Sequence, residues 1–338
     1  LVEAGWGPAV TEQPGTNQAR LAGSMPGGAH LLEVATGRAW VLDDTGTVAA
    51  LGAALAWARR RDIVELHVLV DEASGSGTAA AVMARRASQW SGRPRIWTVS
   101  GRTLQPARVA PVPAPSEPSA QARAMTPDLV RHGADVVVEH GVIMGEVRGL
   151  EVARVVSEQE GERLAVGVGR QDQEAREQLH PEETTDDALA RVIGVVRSHR
   201  VVGRPRHPAN TLARERWMRA ALLADPGLVG ASELRIVSPP LPREGLLRPG
   251  VAPAIGRSRQ GESLMVVCST GANLDLVPAA ADARHLAVGS GPSSATPPRL
   301  LLVLPEGDDH QLIRDLAGDL GDPADVMVIA PGWESLVG

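Results

Sequence analysis

SLMVVCSTGANLDLVPAAADARHL at 263–286, RLLLVLPEGDDHQLIRDLAGDL at 299–320 and ADVMVIA at 324–330 decide how this chain is read. Together they spell strand, helix, strand, helix, strand: short apolar runs closed by turn residues, with longer segments between them. An earlier stretch, 39–99, spells the same. RAWVLDD (38–44) is a short strand closed by Thr45-Gly46. Thr47 caps a helix to about Arg61, with Val48, Leu51, Leu55 and Ala58 on one face. IVELHVLV (63–70) is the next strand, SGSGT (74–78) opens a helix to Trp90, and PRIWTV (94–99) is the third strand.

Over 41–59 and 266–284 the two stretches overlay without a gap, at a constant offset of 225. Val41 falls on Val266, Thr45 on Thr270, Gly46 on Gly271 and Leu51 on Leu276. Ala54, Ala56, Ala58 and Arg59 fall on Ala279, Ala281, Ala283 and Arg284. ELHVLVDE (65–72) matches RLLLVLPE (299–306) in pattern. Two readings stand: an internal duplication of a βαβαβ half (39–99 and 263–331), or the likeness of any two Ala/Leu/Val-rich βαβ pieces. Either way the fold class is α/β.

A chain of 338 residues has room for about two domains of ~150 residues. Its single cysteine, Cys268, excludes an intrachain disulfide and sits in an apolar strand, as a small core residue in a reducing compartment does. There is no Phe, no Tyr and no Lys, while Ala, Gly, Arg and Pro abound, which points to a high-G+C bacterial genome. Every fixed positive charge is therefore an arginine, and no lysine is present to act as base or nucleophile. A net charge of −6 argues against a generic polyanion binder. No apolar run reaches the ~20 residues of a membrane span, and no basic region precedes an apolar block as in an export signal. The expectation is a cytoplasmic protein with no membrane partner.

Residues 1–30, rich in Gly, Pro, Thr and Gln, read as a loose N-terminal segment, and 31–105 as a first αβ unit. PARVAPVPAPSEPSAQA (106–122) is the clearest linker, semi-extended by its prolines. A β-rich middle unit follows over 123–200. It has a short helix near 123–132, β segments at 134–140, 142–148, 150–156 and 163–169, and helices near 171–179 and 184–199. SEQEGE, before RLAVGVG, is a hairpin signal. A C-terminal αβ unit fills 201–338, in which Asn210 or Thr211 caps a helix to about Ala224.

From 209 onward the order is helix, three strands, helix, strand, helix, strand. With ERWMRAALLADPGLVG (215–230) followed by GVAPAIGRSRQGESLMVVCST (250–270), it resembles the PD-(D/E)xK nuclease-like superfamily. Within that superfamily it is similar to the C-terminal nuclease domain of the mismatch-specific endonucleases of archaea and actinobacteria. The resemblance covers roughly 210–330 and implies mixed-sheet, restriction-endonuclease-like units. Such nucleases need an Asp and a Glu on a divalent cation, with a Lys beside them. Here the Asp position falls on about Ala252 and the Glu-x-Lys positions on Cys268, Ser269 and Thr270. None of these can do that work, so this copy reads as degenerate.

The middle unit is better equipped. Asp135 lies on one strand and Glu151-Val152-Ala153-Arg154 on another. Ala153 takes the lysine position, and strand alternation sends Arg154 to the opposite face. Glu139, His140 and Glu146 are near in sequence, and an oxygen-rich set suits magnesium or manganese. The competing reading is an ordinary hairpin with solvated carboxylates. Asp43 and Asp44 close a strand, where such residues more often turn the chain than bind a cation. Gly75-Ser76-Gly77-Thr78-Ala79-Ala80 fits a dinucleotide-type glycine loop, but Arg93 and Arg95 stand where an acidic residue is wanted.

Arginines cluster twice: from Arg191 through Arg197, Arg200, Arg204, Arg206, Arg214, Arg216 and Arg219, and over Arg59, Arg60, Arg61, Arg85, Arg86, Arg93, Arg95, Arg102 and Arg108. They can hold phosphates or pair with the acidic stretch 135–187. The sequence-level expectation is a nucleic-acid-associated protein, with DNA as partner through Arg204, Arg206, Arg214, Arg216 and Arg219. Catalysis is expected to be lost. If any is retained, it is that of a metal-dependent nuclease with Asp135 and Glu151 on the metal. The alternatives are a self-associating scaffold and a nucleotide-binding module using Gly75 and Gly77.

Overall fold

The computed structural model describes residues 20–25, 27–71, 77–159, 161–179, 182–203, 207–243, 245–289 and 296–337. Along the chain run β1 (Arg20–Met25), β2 (Gly28–Glu33), β3 (Arg38–Asp43), α1 (Ala50–Arg59), β4 (Glu65–Asp71), α2 (Gly77–Ala87), β5 (Arg95–Ser100) and β6 (Thr103–Pro106). Then come α3 (Ala120–Ala124), α4 (Thr126–Arg131), β7 (Asp135–Glu139), β8 (Val142–Val147), β9 (Leu150–Glu158), β10 (Gly161–Val166), α5 (Gly169–Leu179) and α6 (Thr185–His199). The last part holds α7 (Pro208–Thr211), α8 (Arg214–Ala224), β11 (Ala231–Ile236), β12 (Ala252–Ser258), β13 (Ser263–Cys268), α9 (Leu276–Gly289), β14 (Arg299–Pro305), α10 (Gln311–Gly318) and β15 (Asp325–Ile329). No helix of the described residues is long and apolar enough to cross a membrane.

The chain forms two compact units, 1–112 with 274–282 and 310–325, and 113–273 with 283–309 and 326–338. The change from one to the other at 112–113 falls inside the proline-rich stretch, which carries no regular structure from 107 until Ser119 caps α3.

The first unit is built on a six-stranded sheet ordered β1-β2-β3-β4-β5-β6. β1 to β3 pair antiparallel, β3 to β5 parallel, and β6 antiparallel to β5. Residues 20–25 and 28–30 are thus strand rather than loose segment. Gly27 and Gly28, both at positive φ, stand where β1 folds back onto β2, and β2 in turn pairs with β3. Period-2 alternation gives the sheet two buried faces. Ala39, Val41, Leu66, Val68 and Ile96 lie on one, with the buried Leu51, Ala54, Leu55 and Ala58 of α1. Leu31, Trp40, Leu69 and Val99 form a core cluster on the other. Inside this unit the buried Asp282 accepts from Arg85 (2.7 and 3.0 Å) and Arg86 (3.2 Å), and Arg86 also grips Asp275.

The second unit holds two sheets: four strands ordered β10-β9-β8-β7, all antiparallel, and five ordered β11-β12-β13-β14-β15. In the latter β11, β12 and β13 pair antiparallel and β13 with β14 parallel, the same succession as β1 to β4. This is a likeness of architecture alone. On the four-stranded sheet, Leu129 and the α6 residues Leu189, Val192, Ile193 and Val196 share a core with Ile143, Val147, Leu150 and Val152. α6 starts on Thr184, whose side chain accepts from the Asp187 N–H, and carries Asp186 and Asp187 in its first turn and Arg197 and His199 in its last. The helix read over 210–224 is two pieces, α7 and α8. They are broken where Leu212 is extended and Ala213 left-handed (φ 45°). Trp217, Met218, Ala221 and Leu222 of α8 pack with Leu264, Val266, Leu301 and Val303 of the five-stranded sheet. That leaves Arg216 and Arg219, three positions apart and so on one face, for the four-stranded sheet.

Candidate functional site

Antiparallel partners directly opposite one another share a face. Asp135 is opposite Glu146, Val137 opposite Met144, and Glu139 opposite Val142, so three carboxyl groups of β7 and β8 stand on one face. β9 adds a fourth through a β-bulge. Glu151 is opposite Glu146, Ala153 opposite Gly145 and Arg154 opposite Met144, leaving one extra residue on β9. The bulge overturns strict alternation. Arg154 lies on the same face as Glu151 and clasps it, Nε to Oε1 at 2.7 Å and Nη2 to Oε2 at 2.8 Å. Ala153, sent to the helix-covered face, is not beside Glu151 as the lysine of a Glu-x-Lys motif would be.

α8 closes this face. Arg216 donates to Glu146 and to Glu139, both at 2.5 Å, and Arg219 donates to the same two at 3.5 and 2.9 Å. Gln173 of α5 donates to Glu151 Oε1 at 3.0 Å. Arg243, from the loop between β11 and β12, is ion-paired with Glu215. Glu139, Glu146, Glu151 and Glu215 are buried, as are Arg216 and Arg219. Four carboxyl groups thus meet four guanidinium groups. Burial works to lower Arg216, but Glu146 and Glu139 outweigh it and hold the guanidinium above its ordinary range. The bond to Glu151 does the same for Arg154. Asp135, at the open edge of the face, is raised by desolvation and then by Glu146, against Arg197.

The corner that places α8 is as fully bonded. Arg200, wholly buried at the end of α6, donates to the carbonyls of Arg148 (2.8 Å), Leu212 (2.8 Å), Ala213 (3.1 Å) and Ala209. Its guanidinium lies 4.5 Å from the Trp217 ring centre. Burial pushes Arg200 down to about 9, which leaves it cationic at neutral pH. Gly149, at φ 74°, lets the β8–β9 turn touch α8: a Cβ there would stand 2.3 Å from the Arg216 carbonyl carbon.

The structure therefore brings Asp135, Glu139, Glu146 and Glu151 together, but both Glu151 oxygens and both pairs on Glu139 and Glu146 are spent on cations. Among the described residues no group of three or more His, Cys, Asp or Glu could hold a metal ion. The nuclease-like positions of the last sheet also meet, Ala252 opposite Cys268, without chemistry. Cys268 is buried, which pushes its thiol up to about 12. Ser269 Oγ donates to the Gly250 carbonyl at 3.3 Å. Asp43 turns the chain, accepting from the Thr45 N–H (3.0 Å) and hydroxyl (2.6 Å).

Of the arginines read as nucleic-acid contacts, Arg204 and Arg206 lie outside the described residues, as does Gly75; Gly77 is the first residue of α2. Arg216 and Arg219 face inward, where a phosphate cannot reach them. Of the three described, Arg214 alone opens outward, its side chain 40% exposed and its Nη2 2.7 Å from Glu334. In the other group Arg85 and Arg86 are buried on aspartates, while Arg60, Arg61, Arg93 and Arg108 are exposed. Sequence reasoning missed Arg243, Gln173 and Glu215 as members of the layer. Only the shared helical face of Arg216 and Arg219 signalled it. No protein-family model, curated protein or solved structure matches the chain.

Proposed function

We propose that the chain is a nucleic-acid-associated protein that keeps a nuclease-like order of elements from α8 to β15 without nuclease catalysis. The observation that carries the reading is the neutral layer. Water activation by a metal needs carboxylates with free oxygens, and here Glu139, Glu146 and Glu151 are each held by guanidinium groups. The element order α8, β11, β12, β13, α9, β14, α10, β15 supports the kinship. Exposed Arg60, Arg61, Arg93 and Arg108 support contact with phosphates.

The test is fluorescence anisotropy with labelled single-stranded and duplex DNA over a salt series. Affinity should fall with salt at a slope of roughly −0.9 per phosphate neutralised on duplex. Arg60→Ala/Arg61→Ala/Arg93→Ala/Arg108→Ala should weaken binding and flatten the slope. Salt-independent binding, or none, would leave a self-associating scaffold as the reading.

A further inference from the structure

Where β14 and β15 end, at Pro305 and Ile329, an open cleft of about 520 Å³ lies between the turns at 305–307 and 331–334. That is within the size of small-molecule sites, and open α/β sheets bind ligands beyond the carboxyl ends of their strands. Its side wall is rigid. Trp333 is buried and meets Trp217 edge to face with ring centres 6.0 Å apart. The Arg214 guanidinium lies 5.6 Å from the Trp333 ring centre and donates to Glu334 Oε1. Among the described residues the Arg214 and Glu334 side chains have no other hydrogen bond or ion pair. The pair thus offers N–H donors and a carboxylate acceptor side by side, already oriented.

The charge of the lining selects the ligand. Among the described residues of the lining, Glu306 and Glu334 outweigh the cation Arg214, so a phosphate is disfavoured. A donor beside an acceptor fits a planar, uncharged partner with the same pair in reverse, which is what the hydrogen-bonding edge of a nucleobase presents. An exocyclic amino group would give the carboxylates a further donor.

We propose that this cleft binds a nucleobase, read by Arg214 and Glu334, with preference for bases that carry an amino group. The choice of a base rests on the nucleic-acid reading above.

The experiment is calorimetric titration of the full chain with cytidine, adenosine, guanosine and uridine, beside DNA binding on the same preparations. The amino-bearing nucleosides should bind roughly tenfold or more tightly than uridine. Glu334→Gln should abolish that preference, as should Arg214→Met, with unchanged circular dichroism showing that both variants fold. No nucleoside binding at millimolar concentration, or a preference untouched by Glu334→Gln, overturns the cleft proposal even if DNA still binds. Nucleoside binding without DNA binding supports the cleft and overturns the nucleic-acid reading instead.

Discussion

Replacing Arg216 by methionine removes one of the two guanidinium groups that Glu139 and Glu146 share. Arg216 donates to both at 2.5 Å, and all three side chains are at most 6% exposed. Arg219 still reaches Glu139 at 2.9 Å but Glu146 only at 3.5 Å, so Glu146 is left the poorer. Breaking a buried pair by removing one partner costs about 3–5 kcal/mol. The chain has two units, so a single melting curve would blur the effect. Hydrogen exchange of the 142–147 amides reads it locally, and the loss corresponds to protection falling by roughly two to three and a half orders of magnitude. Adding Glu146→Gln removes the stranded carboxylate and leaves Arg219 on Glu139. The double variant should therefore recover at least about 1 kcal/mol of the loss. A change below about 1 kcal/mol in Arg216→Met would refute the reasoning, because it would mean that water already satisfies these groups.

His67 makes stability depend on pH. Trp97 Nε1–H donates to its Nδ1 at 3.0 Å and its Nε2 faces Glu65 at 3.1 Å, a pattern that assigns the neutral ring with hydrogen on Nε2. Burial lowers its pKa, with Arg95 and Arg38 adding to that and Glu65 opposing. The unfolded chain then takes up the proton more readily. The contribution is complete above the unfolded value of about 6.5 and is lost as pH falls below it. Hydrogen-exchange protection of the 65–71 amides should drop from pH 7.5 to pH 5, and His67→Gln should flatten part of that slope; His30, also lowered by burial, keeps the rest. Cys268, with its thiol near 12, should not react with Ellman's reagent at pH 8 until the chain is unfolded in urea; prompt native reaction would show the last sheet to be open. Gly149→Ala should cost about 1–2 kcal/mol from its left-handed backbone alone. The clash with Arg216 adds to that, and hydrogen exchange of the 214–224 amides would measure it.

The strands and helices with strong periodicity were legible. β3, α1, β4, α2 and β5 lie within the stretches that apolar spacing and Thr-Gly or Gly-Ser-Gly turns mark out, and so do β13, α9, β14, α10 and β15. β1 and β2 were not, because RLAGSM and GAHLLE carry little apolar pattern and gain their stability from pairing, β1 onto β2 and β2 onto β3. The acidic face was half legible. Asp135, Glu139, Glu146 and Glu151 were visible as near neighbours, but their cations come from α8 and the loop at 243, far along the chain. The bulge at Gly145/Glu146, which turns Arg154 onto Glu151, has no local signature. The two arginine clusters each had two meanings, and only burial separates Arg216 and Arg219, spent on glutamates, from Arg214, which opens on a cleft.

The most direct test of the central claim is a cleavage assay on single-stranded, duplex and forked DNA, with manganese or EDTA, beside the Asp135→Ala/Glu151→Ala variant. A layer whose carboxyl groups are held by arginines predicts no metal-dependent cutting by either protein, with DNA still shifted on a native gel in a salt-sensitive way. Cutting that requires manganese and disappears in the variant would contradict it, since Asp135 and Glu151 would then be holding a catalytic metal.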